Sequence, residues 1–295
     1  MSTQVLKSDI LLPCVHYRIQ DNPPLSILEA ILLGIVQGAA EFLPISSSGH
    51  LVLVPWWLGW DDPPIVFDVA VHVGTTVAIL IYFWRDWVRI LQGGLHSILN
   101  QSLDTTEARL FWFLVVGSIP VGVIGILLSD YFDSTFSDPA IVGTMLIVTA
   151  GILVFSEQAE QRSRALADMQ WQDAILIGAA QALAIMPGIS RSGSTIAAGL
   201  LRGIQREEAA RYSFLLATPV ILGAGGLQVL DVLTGEQVID DDMVTALIVG
   251  FVSSAVVGYL CIILLLQLIR RRRLYGFAAY CAIFGGISLA AALLQ

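Results

Sequence analysis

Apolar residues fall in runs at about Ile27–Leu43, Ile45–Leu58, Ile65–Trp84, Leu110–Leu128, Ala140–Phe155, Ala174–Met186, Thr195–Leu201, Tyr212–Leu233, Val244–Ile269 and Tyr275–Leu294. Five of these approach or exceed the ~20 residues that carry a helix across a bilayer, and Ala140–Phe155 is only slightly short. The pair on either side of Pro44 and the pair on either side of Pro187–Ser194 are shorter. A leg of about fifteen helical residues reaches roughly 22 Å, against ~30 Å of hydrocarbon. Each short pair therefore predicts a re-entrant hairpin. The expected fold is an all-α polytopic membrane protein, with about six transmembrane helices plus two re-entrant helical hairpins.

The polar positions between runs set the orientation. Arg85, Arg89 and Arg109 mark one loop, Arg162 and Arg164 a second, Arg202, Arg206 and Arg211 a third, and Arg270–Arg273 a fourth. Asp61–Pro64, Asp130–Pro139 and Thr234–Asp242 carry several Asp and no Lys or Arg. Basic loops collect on the cytoplasmic side. That rule places six spans, a second hairpin with both ends inside, a first hairpin with both ends outside, and both chain termini outside. Lys7 and Arg18 argue mildly against an external N-terminus, but Asp9 and Asp21 leave the tail near neutral.

Composition agrees with this class: 56% of residues are hydrophobic, 13% are charged and the mean hydropathy is +0.78. Soluble domains are about one quarter charged. The net charge of -9 offers nothing to nucleic acid. Cys14, Cys261 and Cys281 lack disulfide or metal-ligand spacing and read as small packing residues. Met1–Asn22 has no sustained apolar core and no clean cleavage pattern, so it reads as an extension ending at Pro23-Pro24 rather than a signal peptide.

Sliding the chain on itself brings Ala30-Ile31-Leu32 onto Ala174-Ile175-Leu176, Gln37 onto Gln181, Ile45-Ser46 onto Ile189-Ser190 and Ser48-Gly49 onto Ser192-Gly193. The chain thus reads as a duplication. An extension covers 1–24; repeat 1 covers 25–156, with its hairpin at 27–59; a cytoplasmic linker covers 157–172; repeat 2 covers 173–295, with its hairpin at 173–203. Three spans follow each hairpin, so the second copy crosses the membrane in the opposite sense. Inverted repeats place a site near the midplane, where broken helices aim their ends at a ligand. Gly34/Gly38 and Gly178/Ala182 would let the hairpin legs pack closely.

The same overlay shows what is not duplicated: Glu41 faces Ile185, Ser47 faces Arg191 and His50 faces Ser194. Ionisable groups at membrane depth are costly and mark function. Helices beginning after Ser46–Ser48 and Ser190–Ser192 would aim unpaired N–H groups into the gap, and Arg191 adds a fork suited to phosphate oxygens. The ligand these parts suit is a phosphate or diphosphate. Glu41 is a candidate base or metal ligand, with a structural pair to Arg191 as the alternative. Gln37 is a candidate for substrate binding or for interhelical hydrogen bonding. Ser46 and Ser48 are turn or cap residues or phosphate ligands, and Ser47 is the candidate nucleophile with His50 three residues on. Thr195 is a phosphate ligand or a cap. His72 lies in an apolar span without evident partner and reads as structural.

Taken together, Gln37, Glu41-Phe-Leu-Pro-Ile-Ser-Ser-Ser-Gly-His50 and Pro187-Gly-Ile-Ser-Arg-Ser-Gly-Ser-Thr195 resemble the undecaprenyl-diphosphatase family, the bacitracin-resistance phosphatases of the bacterial envelope. The resemblance covers essentially everything after Pro24. It implies hydrolysis of undecaprenyl diphosphate to undecaprenyl phosphate and inorganic phosphate, recycling the lipid carrier of peptidoglycan synthesis. It also implies an inner-membrane location, an active site toward the periplasmic face and a divalent cation, Mg²⁺ or Ca²⁺. Carried onto this chain, the catalytic set is Glu41, Ser47, His50 and Arg191. Substrate would be bound by Gln37, Ser46, Ser48, Gly49, Ser190, Ser192, Gly193 and Thr195, and the metal by Glu41. Many members carry Glu where this chain has Gln37, which shifts the weight of a metal site to Glu41. Expected partners are the prenyl diphosphate lipid and the bilayer, with a homodimer left open. The rival class is a carrier for polyprenyl phosphate, which needs a similar anion cradle but no nucleophile.

Overall fold

The computed structural model describes residues 25–127, 138–158, 163–233 and 241–295. The extension over 1–24 with Cys14, Lys7 and Arg18, the basic residue Arg162, and most of the acidic loops at 130–139 and 234–242 lie outside them. Among the described residues the chain is helical, without strands: α1 (Ile27–Phe42), α2 (Ser47–Leu58), α3 (Ile65–Tyr82), α4 (Trp84–Asn100), α5 (Thr106–Leu127), α6 (Pro139–Ser156), α7 (Trp171–Leu183), α8 (Arg191–Leu201), α9 (Arg206–Leu233), α10 (Asp241–Arg271) and α11 (Tyr275–Leu294). Six of these, α3, α5, α6, α9, α10 and α11, are long and apolar enough to cross a bilayer. The protein is a multi-pass membrane protein.

Several helices start where the chain supplies a cap. Ser26 and Glu29 form a reciprocal capping box at α1, with Ser26 N donating to Glu29 Oε2 at 2.8 Å. Asp138 accepts from Ala140 N at 2.8 Å, and Pro139 opens α6 where its missing N–H costs nothing. Ser46 and Ser190 cap α2 and α8 through the N–H groups of Gly49 and Gly193.

The short helices form two hairpins, α1–α2 and α7–α8, and their first legs are buried on equivalent partners. α1 packs along α10, and α7 packs along α5. The glycines on these legs serve that packing rather than contact within the hairpin. A Cβ at Gly38 would lie 2.7 Å from the Ser254 carbonyl oxygen, and Gly178 presses on the backbone of Gly117. The two hairpin tips then meet each other: Ser192 Oγ donates to the Leu43 carbonyl at 3.1 Å, and a Cβ on Gly49 would lie 3.1 Å from Gly188 Cα. Gly188, at φ 92°, occupies the left-handed region that glycine tolerates.

One element departs from the sequence expectation. The basic stretch after Trp84 is not an open loop but α4, a helix of 17 residues. Its small face, Gly93, Gly94 and Ser97, lies against α5, where Trp112 Nε1 donates to Ser97 Oγ at 2.9 Å. Val88, Leu91, Leu95 and Ile98 form an exposed apolar stripe on another side.

Ion pairs draw the basic loops to one end of the bundle. Arg211 reaches Asp86 at 3.0 Å, Arg109 donates to the Ala167 carbonyl at 3.4 Å, and Arg206 pairs with buried Glu157. Arg270 pairs with Glu207. Asp173, at the mouth of the second hairpin, accepts from Arg164 Nη2 at 2.6 Å and Arg202 Nε at 2.7 Å. Burial alone would raise the pKa of Asp173, but these two guanidinium partners outweigh it and hold the carboxyl below its ordinary value.

Candidate active site

Where the hairpin tips meet, one carboxylate gathers the polar side chains. Glu41, in the last turn of α1, is 4% exposed. Its Oε1 accepts from Arg191 Nη2 at 2.6 Å, and its Oε2 accepts from Ser47 Oγ at 2.5 Å and from Gln37 Nε2 at 3.0 Å. Gln37 reaches it because residues four apart share a helix face. Ser47 reaches it because Leu43–Ser46 folds the chain back on itself, so the first residue of α2 stands over the end of α1. Arg191 comes from the opposite hairpin, as the first residue of α8. A charge-assisted pair so deeply placed is strong and leaves neither ion uncompensated.

The turn that presents Ser47 is strained. Ser46 sits at φ 70°, ψ 97°, a region that L-residues rarely adopt. It is held there from three sides: Ser46 Oγ accepts from Gly49 N at 3.3 Å, Ser46 O accepts from His50 N at 3.2 Å, and Ser46 O also accepts from His50 Nδ1 at 2.7 Å. A carbonyl only accepts, so the His50 proton lies on Nδ1. His50 Nε2 pairs with Tyr280 Oη at 2.7 Å, and the ring stacks on Tyr280 and Phe284. Both nitrogens of His50 are thus engaged by the turn and by α11, not by Ser47 or Glu41.

A different imidazole faces the carboxylate. His72, on α3, lies with Nε2 3.7 Å from Glu41 Oε2, and its Nδ1 donates to the Asp68 carbonyl at 2.7 Å. The structural role read for His72 from sequence gives way to a place in the site. Its partner lies 31 residues earlier in the chain, so a lone histidine on an apolar helix carried no local signal.

The second hairpin is tied down in parallel. Ser190 Oγ caps Gly193 N at 3.0 Å, Ser190 N donates to Thr149 Oγ1 at 3.0 Å, and Thr149 Oγ1 donates to the Gly188 carbonyl at 2.8 Å. Thr195 donates to the Arg191 carbonyl at 2.8 Å and shares a 2.6 Å hydrogen bond with Ser213. Ser46, Ser190, Ser192 and Thr195 are therefore occupied in bracing the tips, and Ser48 contacts Ser46 at 3.4 Å. Thr149, Ser213 and Tyr280 join the site from spans whose sequence marks none of them. Because α2 and α8 both begin at the tips, their N-terminal N–H groups and positive dipole ends converge on the place where Ser47 and Arg191 stand.

This arrangement has relatives. The bacitracin resistance protein BacA family matches residues 30–287, which takes in nearly all of both hairpins, five whole spans and most of the sixth. The chain belongs to that family. Among the BacA relatives, it is 45% identical over 267 residues to a protein of Desulforudis audaxviator named undecaprenyl-diphosphatase, covering 90% of this chain and 98% of that one. A protein of Methanosphaera stadtmanae with the same name is 46% identical over 275 residues, and one of Stutzerimonas stutzeri, named undecaprenyl-diphosphatase 2, is 40% identical over 268 residues. Both alignments cover 90% of this chain and 98% of the relative.

Proposed function

We propose that this protein is an undecaprenyl-diphosphate phosphatase, releasing inorganic phosphate and undecaprenyl phosphate. The observation that carries the proposal is the single carboxylate of Glu41 holding a serine hydroxyl on one oxygen and a guanidinium on the other. Ser47 Oγ attacks the terminal phosphorus while its proton passes to Glu41 Oε2. The Ser47–phosphorus bond forms, the anhydride P–O bond breaks, and undecaprenyl phosphate departs with the proton that Glu41 hands on to it, which leaves Glu41 ionised again. Water then cleaves the phosphoserine. Arg191 and the N–H groups opening α2 and α8 stabilise the charge spread over the phosphoryl oxygens.

A divalent cation fits the same place. Gln37 Oε1 is a buried oxygen with no hydrogen-bond donor among the described residues, one turn from Glu41. Glu41 and Gln37 Oε1 would hold Mg²⁺ or Ca²⁺, with diphosphate oxygens and water completing the shell, as Mg²⁺ prefers. When bound, the cation would withdraw charge from the phosphates. Among the described residues no cluster of three or more His, Cys, Asp or Glu forms a metal cage without substrate.

The prenyl chain would lie among the outward-facing apolar residues, with Trp56, Trp57 and Trp60 bordering its entry. Trp57 Nε1 donates to Ser288 Oγ of α11 at 3.0 Å. Gathering of the basic loops at one end supports an orientation with that end in the cytoplasm, and with the mouth of the first hairpin toward the periplasmic face of a bacterial inner membrane. In that setting the reaction returns the carrier lipid to peptidoglycan synthesis and confers bacitracin resistance. Phosphate release from a prenyl diphosphate by detergent-purified protein tests the assignment. Ser47→Ala and Arg191→Ala should each lower kcat by about 10²–10³-fold, and chelator should abolish turnover. No release by the wild type with either cation would overturn it in favour of a polyprenyl-phosphate carrier.

A further inference from the structure

A histidine nitrogen and a carboxylate oxygen face each other in the site beyond hydrogen-bond distance. Nδ1 of His72 spends its hydrogen on the Asp68 carbonyl, so Nε2, 3.7 Å from Glu41 Oε2, is the nitrogen that presents a lone pair when the ring is neutral. At that separation one water can bridge the two atoms. The His72 side chain is 27% exposed while that of Glu41 is 3%, so solvent reaches the pair from the His72 side. Glu41 Oε2 already accepts from Ser47 and Gln37. Once Ser47 carries a phosphoryl group it has no proton to donate, and when the proton that Glu41 took has left with undecaprenyl phosphate, one lone pair of Oε2 becomes free next to His72.

We propose that His72 and Glu41 together hold the water that cleaves phosphoserine, so that phosphorylation of Ser47 itself creates the water site. This rests on Ser47 being the nucleophile. The water donates one hydrogen to His72 Nε2 and the other to Glu41 Oε2. Its oxygen then bonds to phosphorus as the P–Oγ bond breaks. The proton given to Glu41 returns to Ser47 Oγ over the 2.5 Å contact seen in the resting site, and inorganic phosphate leaves. His72 thus serves the second half of the reaction only. Phosphorylation, which needs Ser47, Glu41 and Arg191, does not use it.

The experiment is acid-quench trapping with a prenyl diphosphate labelled in its terminal phosphate, on full-length protein in detergent. It compares wild type, His72→Ala and His72→Gln, with monodispersity as the folding control. In His72→Ala, labelled phosphoserine should accumulate toward one equivalent in a burst while steady-state phosphate release falls about 10²-fold, the cost of a misplaced reactant. His72→Gln keeps an acceptor and should regain part of the release rate. Loss of packing alone would slow the burst as well. A phosphoserine that forms in His72→Ala and hydrolyses at the wild-type rate overturns the role of His72 and leaves the nucleophile standing. Turnover with no phosphoserine in any variant overturns both.

Discussion

Glu41 and Arg191 lie 150 residues apart in the chain and 2.6 Å apart in space, and that contact joins the two hairpins at their tips. Each hairpin alone is incomplete: one has the hydroxyl and carboxylate, the other the cation that makes a buried carboxylate tolerable. Removing the cation should therefore cost both folding and chemistry. Arg191→Ala leaves Glu41 buried and unpaired, a loss of about 3–5 kcal/mol. Arg191→Lys keeps the charge but not the fork that reaches both Glu41 and the Ser213 carbonyl. The lysine variant should melt near wild type and still lose about 10²-fold in kcat. A lysine variant with full activity would show that only charge is needed.

Ser46 separates strain from capping. Ser46→Ala keeps a Cβ at φ 70° and removes the oxygen that accepts from Gly49 N, so it should destabilise by about 1–2 kcal/mol. Ser46→Gly also removes the cap but relieves the strained backbone, which offsets the loss. Thermal melts should rank wild type and glycine close together, with alanine below them. Activity should rank differently, because a relaxed turn no longer fixes Ser47 against Glu41: kcat of the glycine variant falls while its melting point holds. A glycine variant less stable than alanine would mean that Ser46 is not strained.

The spans and both hairpins could be read from run lengths, because hydrocarbon thickness imposes a length on every helix that crosses it. Glu41, Ser47 and Arg191 stood out because charge and hydroxyl inside apolar runs are costly. What escaped was set by tertiary contact. α4 carries Arg85 and Arg89, which read as a loop. Its helical signal was the spacing of Val88, Leu91, Leu95 and Ile98, diluted by Gly93 and Gly94 that only make sense against α5. His50 drew attention by adjacency to Ser47, yet its ring turns toward Tyr280. His72 lacked such adjacency and reaches Glu41.

Asp173 makes the ion-pair clamp at the mouth of the second hairpin sensitive to acid. Its folded pKa is lowered from 3.8, where burial works against the shift and the Arg164 and Arg202 hydrogen bonds override it. A depressed carboxylate contributes stability that is complete above its unfolded pKa and fades as pH falls through the folded value. The clamp should thus be intact at neutral pH and weaken below about pH 4. Asp173→Asn should lower the melting temperature at pH 7 and flatten its decline between pH 5 and pH 3. Parallel melting curves for the two proteins across that window would rule the clamp out as an acid-labile element.

Gln37 offers the sharpest handle on the cation. Its amide nitrogen donates to Glu41 Oε2 at 3.0 Å, while its oxygen is buried without a donor. Gln37→Glu replaces that donor with a second carboxylate, so two like charges face each other unless a cation lies between them. In chelator the variant should melt lower than wild type. With Mg²⁺ the second carboxylate becomes a ligand, melting recovers, and half-maximal activity is reached at about tenfold lower cation, a 1.4 kcal/mol gain in binding. Wild type, with a neutral amide there, should show little change of melting temperature on adding Mg²⁺ before substrate is present. Equal cation dependence in both proteins would place the ion away from Gln37 and Glu41, and would leave the orphaned amide oxygen to be satisfied by water.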